Sequence, residues 1–261
     1  MSTASPRQNI CRAVFNEVRA YCVANADESR VRRYARYFTE GYDAYGVDWR
    51  APACEAKRAA WLKRLCEAGP TAWLDLGDLL VATGKYEEAG FAILTAMSLR
   101  DRYTPEAFAR IGKWFAGGIR NWGHTDVLSG EVLSQFLLGG VVGLEALAPW
   151  RDSAHKYQRR AVPVTLIKLL DAPDGVVPLV DFIEPLMRDP EKVVQQGLGW
   201  FLREAWKRRP KPVEAFLLRH KETAPRVIVQ YATEKMDRAG KERFRRTQSA
   251  KERTVRSRRT T

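Results

Sequence analysis

The amino-acid sequence predicts an all-α protein built of antiparallel helix pairs. Three observations carry that prediction. Apolar residues recur at spacings of three and four along nearly the whole chain. No segment shows the period-two alternation of a half-buried strand. The links between periodic stretches are short and punctuated by glycine and proline, which sets consecutive helices side by side and antiparallel.

The first helix is expected over residues 7–24, with Ile10, Val14, Val18, Tyr21 and Cys22 on its apolar stripe. A short basic helix follows over 27–39, carrying Tyr34, Tyr37 and Phe38. Gly41-Tyr-Asp-Ala-Tyr-Gly46 reads as a loop. Helices are expected over 52–67, 71–83 and 86–99, divided by Gly69-Pro70 and Thr83-Gly84. Thr104-Pro105-Glu106 supplies a cap, a proline for the first helical position and an acid for the first turn. That helix ends at Gly117-Gly118. Asn121 or a neighbour opens the next, which Gly139-Gly140 closes. A short helix over 142–149 precedes one from Ser153 to Leu170, where Pro163 predicts a kink. Residues 175–187 form another. Asp189-Pro190-Glu191 repeats the start signal for a helix to Lys207, and the last two read as 211–220 and 224–237.

The 261 residues are 45% hydrophobic, enough for a substantial core. No apolar run approaches the ~18 residues of a membrane span, and the N-terminus lacks the apolar region of a secretory signal. The four cysteines, Cys11, Cys22, Cys54 and Cys66, form no C-x-x-C pair, as expected of reduced, packed thiols in a cytoplasmic protein. The three histidines, His124, His155 and His220, are scattered and read as capping or surface residues. No metal site is expected from them.

Net charge is +13. Residues 241–259 hold nine Lys/Arg against two Glu, about half of that excess, and one aromatic stands in the last 22 residues. This composition predicts a disordered basic tail over 239–261 behind a folded domain over 1–238. The folded part is basic in its own right, and a basic balance favours a polyanionic partner.

Three places stand out chemically. In Asn121-Trp122-Gly123-His124-Thr125-Asp126, Trp122 and Asp126 are four apart and share a helix face. Taken alone they read as a core tryptophan beside a capping acid. Lys156-Tyr157-Gln158-Arg159-Arg160 puts three cations at a helix start, where the helix dipole disfavours them. They read as a solvated face or as a phosphate contact. Gly199-Trp200 lies in a mostly apolar helix centre with Arg203 beyond it. A glycine there costs ~1 kcal/mol against alanine, which implies a close neighbour, and Trp200 alone reads as core. Asp126, Arg160 and Trp200 lie 34 and 40 residues apart, close to one helix-pair repeat of a HEAT-like solenoid. A compact all-α bundle satisfies the helix periodicity too. In a solenoid, residues one repeat apart converge on a concave face.

The segment VVQQGLGWFLREAWKRRPKPVEAFL followed by PRVIVQYATEKMD resembles the C-terminal repeats of AlkD-type DNA alkylation repair proteins, a family of HEAT-like-repeat DNA glycosylases. YQRRAVPV, NWGHTD and ARYFTEGYDAYGV match that family's order and approximate spacing, so the resemblance covers roughly residues 28 to 237. It implies a solenoid with a concave basic face. It implies a monomeric enzyme without cofactor or metal that hydrolyses the N-glycosidic bond of positively charged N3- or N7-alkylated purines in double-stranded DNA, without base flipping. The family's aromatic-x-x-x-acid motif falls on Trp122 and Asp126, and its second cleft tryptophan on Trp200. These three are the candidate catalytic residues. Its DNA-facing arginine falls on Arg160, with Arg159 the neighbouring register. Lys156, Arg203 and Tyr37 complete the expected DNA-binding set. The chain departs from the pattern in having Asn121 where some members carry a second tryptophan, and Gly123 where an acid is common. Relatives that have lost the acid lack excision, so a non-catalytic DNA-binding repeat protein that reads bent or branched duplex by shape is the alternative. A protein-interaction solenoid with an incidental basic tail is a third reading.

Overall fold

The computed structural model describes residues 5–172 and 175–246, and these contain helices, turns and loops but no strand. The all-α prediction holds. The chain divides between Thr165 and Leu166 into two compact units.

In the first unit, helix α1 (Pro6–Ala24) starts at a capping box, in which the Ser5 hydroxyl accepts from the Gln8 amide and the Gln8 side chain accepts from the Ser5 amide. Helix α2 (Glu28–Ala35) is capped by Asp27 and stops short of the expected residue 39. Helices α3 (Pro52–Ala68), α4 (Ala72–Ala82) and α5 (Tyr86–Met97) fall where the sequence puts them. Helix α6 (Pro105–Gly112) has Thr104 as its cap and Pro105 at its first position, as the start signal predicts. A single turn, α7 (Trp114–Gly117), follows it.

The core of this unit includes Leu65, Trp73, Leu76, Leu80, Ile93, Ile111 and Phe136, all fully buried. Three glycines, two inside helices and one at the end of α6, make room for indole rings. A Cβ built on Gly77 would stand 2.4 Å from Trp114, one on Gly90 1.7 Å from Trp49, and one on Gly112 2.8 Å from Trp150. Each glycine costs helix propensity and admits an aromatic ring at close range.

The stretch expected as one helix over 121–138 is less regular. Helix α8 (Trp122–Leu128) runs into a π-helical turn at Ser129–Leu133 and resumes as α9 (Ser134–Leu138). The Ser134 hydroxyl donates to the Gly130 carbonyl at 2.7 Å across that wide turn. A 3₁₀ helix, Leu144–Asp152, takes the place of the short helix expected over 142–149. Helix α10 (Lys156–Leu166) begins three residues later than expected and is helical through Pro163, with a 3₁₀ turn (Ile167–Leu169) after it.

In the second unit, α11 (Val176–Phe182) gives way to a 3₁₀ segment, Glu184–Arg188, where Pro185 supplies no amide hydrogen to continue the helix. Helix α12 (Lys192–Arg208) has Glu191 at its N-cap position without a side-chain capping bond, and Asp189 accepts from the Glu191 amide at 2.9 Å. Helices α13 (Pro210–His220) and α14 (Arg226–Ala232) follow. Helix α12 packs chiefly on α14. Gly199 is the seat of that contact, since a Cβ there would lie 2.5 Å from the Tyr231 Cβ and 2.9 Å from the Ile228 carbonyl oxygen. This is the close neighbour its position implies.

The first residues of the expected tail are folded instead. Residues Arg238–Arg243 form a further helix, α15, capped by Asp237, and Phe244 is buried. That one aromatic supplies the apolar surface which holds the segment, so the fold extends at least to residue 246. The rest of the expected tail, 247–261, lies outside the described residues. Among the described residues no helix is long and apolar enough to cross a membrane.

Candidate nucleic-acid site

The first unit holds most of the expected site residues. Asn121 caps α8. Its Oδ1 accepts from the His124 amide at 2.8 Å, its Nδ2 lies 2.9 Å from His124 Nδ1, and its carbonyl accepts from the Thr125 hydroxyl at 2.8 Å. This bracing sets the entry angle of Trp122 at the first helical position. Trp122 is 42% exposed, so it is not a core residue. Its Nε1 donates to the Tyr37 carbonyl at 3.0 Å and its ring stacks on Phe38 at 5.6 Å. Phe38 in turn stacks on Tyr42 at 4.7 Å, and Tyr86 meets both edge-on.

His124 corrects the expectation of a capping or surface histidine. It is 5% exposed and stacks on Tyr86 at 4.2 Å. Burial lowers its pKa to about 4, so the ring is neutral near pH 7. With Nδ1 accepting from Asn121, the proton belongs on Nε2. His155, by contrast, is exposed, and His220 faces Glu184 at 2.9 Å.

The loop beneath this stack is locked from α5. The buried Glu87 carboxylate accepts from the amides of Tyr45, Gly46 and Val47 at 2.8, 2.6 and 3.2 Å. Glu88, also buried, takes both Arg19 nitrogens and the Tyr45 hydroxyl. Gly46 has φ +82°, and a Cβ there would lie 2.2 Å from the Asp27 carbonyl oxygen. The glycine link of ARYFTEGYDAYGV is therefore a steric requirement of the segment that carries Phe38.

Asp126 lies one turn beyond Trp122. Arg160 of α10 meets it fork to fork, Nε to Oδ1 and Nη2 to Oδ2, both at 2.8 Å. The Arg160 side chain is 7% exposed and that of Asp126 is 17% exposed. Burial raises the Asp126 pKa above its ordinary value, and the hydrogen bonds and charge of Arg160 oppose that rise. Arg160 was expected to face a phosphate; it is buried against the acid. The reason is visible in the pair, because a carboxylate this far from water needs a cation to stay ionised.

Around the pair, Lys156 Nζ lies 2.8 Å from Glu40 Oε1, and Arg159 Nη1 donates to the Ser153 carbonyl at 2.7 Å. Tyr37 is half exposed, with its hydroxyl accepting from Arg36 at 2.8 Å and the guanidinium 4.8 Å from its ring centre. The first unit thus brings Tyr37, Trp122, Asp126, Lys156, Arg159 and Arg160 into connected elements. Trp200 and Arg203 belong to the second unit. Trp200 is part-exposed on α12, and Arg203 pairs with Glu204 at 3.0 Å and with Glu234. Phe38, Tyr42, Tyr86 and Glu87 support the site but were not singled out in the sequence. Tyr86-Glu87-Glu88 directly after Gly84-Lys85 resembles any acidic helix start, and nothing local marks the acids as buried. Among the described residues no cluster of His, Cys, Asp and Glu is placed to hold a metal ion.

Comparison with protein-family models decides the relationship. A model described as DNA alkylation repair enzyme matches residues 18–236. The chain belongs to that family. Comparison with curated proteins returns no match. The match begins within α1 and ends just before α15, so it contains every expected site residue.

Proposed function

We propose that the protein is a DNA glycosylase that hydrolyses the N-glycosidic bond of N3- and N7-alkylated purines in duplex DNA. Membership of a DNA alkylation repair family supports a DNA substrate. The observation that carries the finer reading is the placing of a largely buried Asp126 carboxylate, with 17% of its side chain exposed, one helical turn from an exposed Trp122.

An N3- or N7-alkylated purine is already cationic and leaves without further activation. The proposed chemistry therefore asks nothing of a metal. As the bond to C1′ breaks, positive charge grows on the sugar. A fixed carboxylate facing that sugar stabilises the charge and positions the attacking water. In this reading Arg160 keeps Asp126 ionised and aimed. Its fork uses one lone pair of each oxygen and leaves the others for the sugar and the water. The Trp122 face, held by the Tyr37 carbonyl and Phe38, offers a cation–π surface worth about 0.5–2 kcal/mol to a cationic nucleotide. Trp200, part-exposed on α12 of the second unit, is the other aromatic that the family resemblance implies. Because Trp122 stands open at the surface, the proposal needs no flipped base, unlike enzymes that bury one. The HEAT-like repeat organisation, a monomeric state and action on DNA in the cytoplasm are proposed with it.

The alternative is a non-catalytic DNA-binding protein, favoured by one observation: both Asp126 oxygens are engaged by Arg160. Incubation with duplex containing N7-methylguanine separates the two. The glycosylase releases free base above the spontaneous rate and leaves an abasic site. Salt-sensitive binding without release would establish the alternative.

A further inference from the structure

The second unit contains a groove of about 910 Å³ that the site above does not use. Its walls come from the link after α13, from α14, and from α15 with the residues just beyond it. The groove is lined by the cations Lys221, Arg226, Lys241, Arg245 and Arg246 and by one acid, Glu234. The acid does not neutralise them, because it is held by Arg203 and Lys235. Arg226 and Lys241 make no ion pair among the described residues, whereas Lys221 lies 3.8 Å from Glu222 and Arg245 2.9 Å from Glu242, both pairs open to solvent.

The groove is built rather than incidental. Phe244 is buried in its floor, and Arg246 Nη2 donates to the Ala224 carbonyl at 2.7 Å, tying the end of the described chain to the start of α14. Arg243 anchors α15 to Glu214 of α13 at 2.8 Å. Two arginines are thus spent on holding the walls together, and those walls present Arg226 and Lys241 to solvent. Part of this wall, residues 238–246, lies beyond the family match.

We propose that the groove takes the phosphate backbone of undamaged duplex DNA flanking the lesion, independently of sequence and of the alkylated base. Charge complementarity selects the occupant: with Lys221 and Arg245 paired to carboxylates, Arg226, Lys241 and Arg246 remain against an acid that is already committed, which favours a polyanion. The chain's own remaining residues, 247–261, are a poor occupant, since they carry five Lys/Arg to one Glu and like charges repel. The inference rests on the reading that the protein acts on duplex DNA, but not on base release. Backbone contacts here would add affinity and register without specificity.

The test compares the full chain with its R226A/K241A variant on an undamaged duplex across 50–200 mM salt, with folding checked by thermal melting. Losing two phosphate contacts lowers the slope of log affinity against log salt by about 2 and weakens binding roughly 10- to 100-fold near 0.1 M salt. R226K should retain the slope. Base release from alkylated duplex with protein at saturating concentration should be unchanged. An unchanged slope overturns the proposal. So does an equal loss in R12A/K63A, a charge-matched pair of exposed cations in the first unit, because net charge would then explain the effect. A wild-type protein that binds with this slope but releases no base would overturn the glycosylase reading and leave the groove standing.

Discussion

Replacing Arg160 with methionine tests the physical core of the site. The side chain keeps most of its bulk and loses two charge-assisted hydrogen bonds of 2.8 Å to a carboxylate that is 17% exposed. Removing one partner of a buried pair costs about 3–5 kcal/mol, because the remaining charge is left uncompensated. Asp126 retains some solvent and can take up a proton, which places the expected loss near the lower end, about 3 kcal/mol. For a protein of this size that corresponds to roughly 6–12 °C in Tm. The loss should depend on pH. Burial already raises the Asp126 pKa and Arg160 opposes that, so R160M must raise it further. A carboxyl whose folded pKa is raised contributes stability at low pH that is lost as pH rises through the folded value. R160M should therefore be destabilised more at pH 8 than at pH 5. The acid limb of its base-release profile should move to higher pH, and the R160M/D126N double variant should be more stable at pH 8 than R160M alone. Calorimetry at the two pH values and a pH–rate profile measure this. A loss under about 1 kcal/mol, or an equal loss at both pH values with an unmoved acid limb, would refute the proposed role of the pair.

Two further outcomes follow from named contacts. His124 has its pKa depressed to about 4 by burial, so it contributes stability above its ordinary pKa of about 6.5 that is lost as pH falls through about 4. The contribution is about 3 kcal/mol, opposite in sign to that of Asp126, and H124F, which keeps a ring against Tyr86, should flatten the pH dependence of Tm in that window. Gly199→Ala should destabilise by about 1–3 kcal/mol despite the better helix propensity of alanine, because its Cβ would lie 2.5 Å from that of Tyr231; a Tm equal to or above wild type would contradict the packing of α12 on α14.

Much of the fold was legible because its signals are local. Thr104 and Asn121 cap the helices that their hydroxyl and amide side chains mark, and Gly46 and Gly199 stand where a side chain cannot. The irregular pieces were not legible. The π-helical turn at Ser129–Leu133 and the 3₁₀ segment around Pro149 lie in stretches whose apolar spacing reads as ordinary helix, so the spacing does not report them. Phe244 shows the limit of composition, since one buried aromatic, with Arg243 on Glu214 and Arg246 on the Ala224 carbonyl, holds a strongly charged stretch in place. Within the proposed site, the spacing of Trp122 and Asp126 predicts a shared helix face, while their roles rest on the family resemblance, since alone they read as core and cap. The burial of Arg160 against Asp126 was missed, because a cation in a basic run gives no sign of which acid it will meet 34 residues back.

The central claim is that the Asp126 carboxylate stabilises the departing nucleotide's sugar. Single-turnover release of N7-methylguanine from duplex DNA by the wild type and by Asp126→Asn tests it most directly, at a pH and temperature where melting shows both to be folded. Asparagine keeps one acceptor for Arg160 and removes the charge. The expected result is a roughly 100- to 1000-fold slower release by the variant with duplex affinity retained. Release at the wild-type rate by the folded variant would contradict the claim.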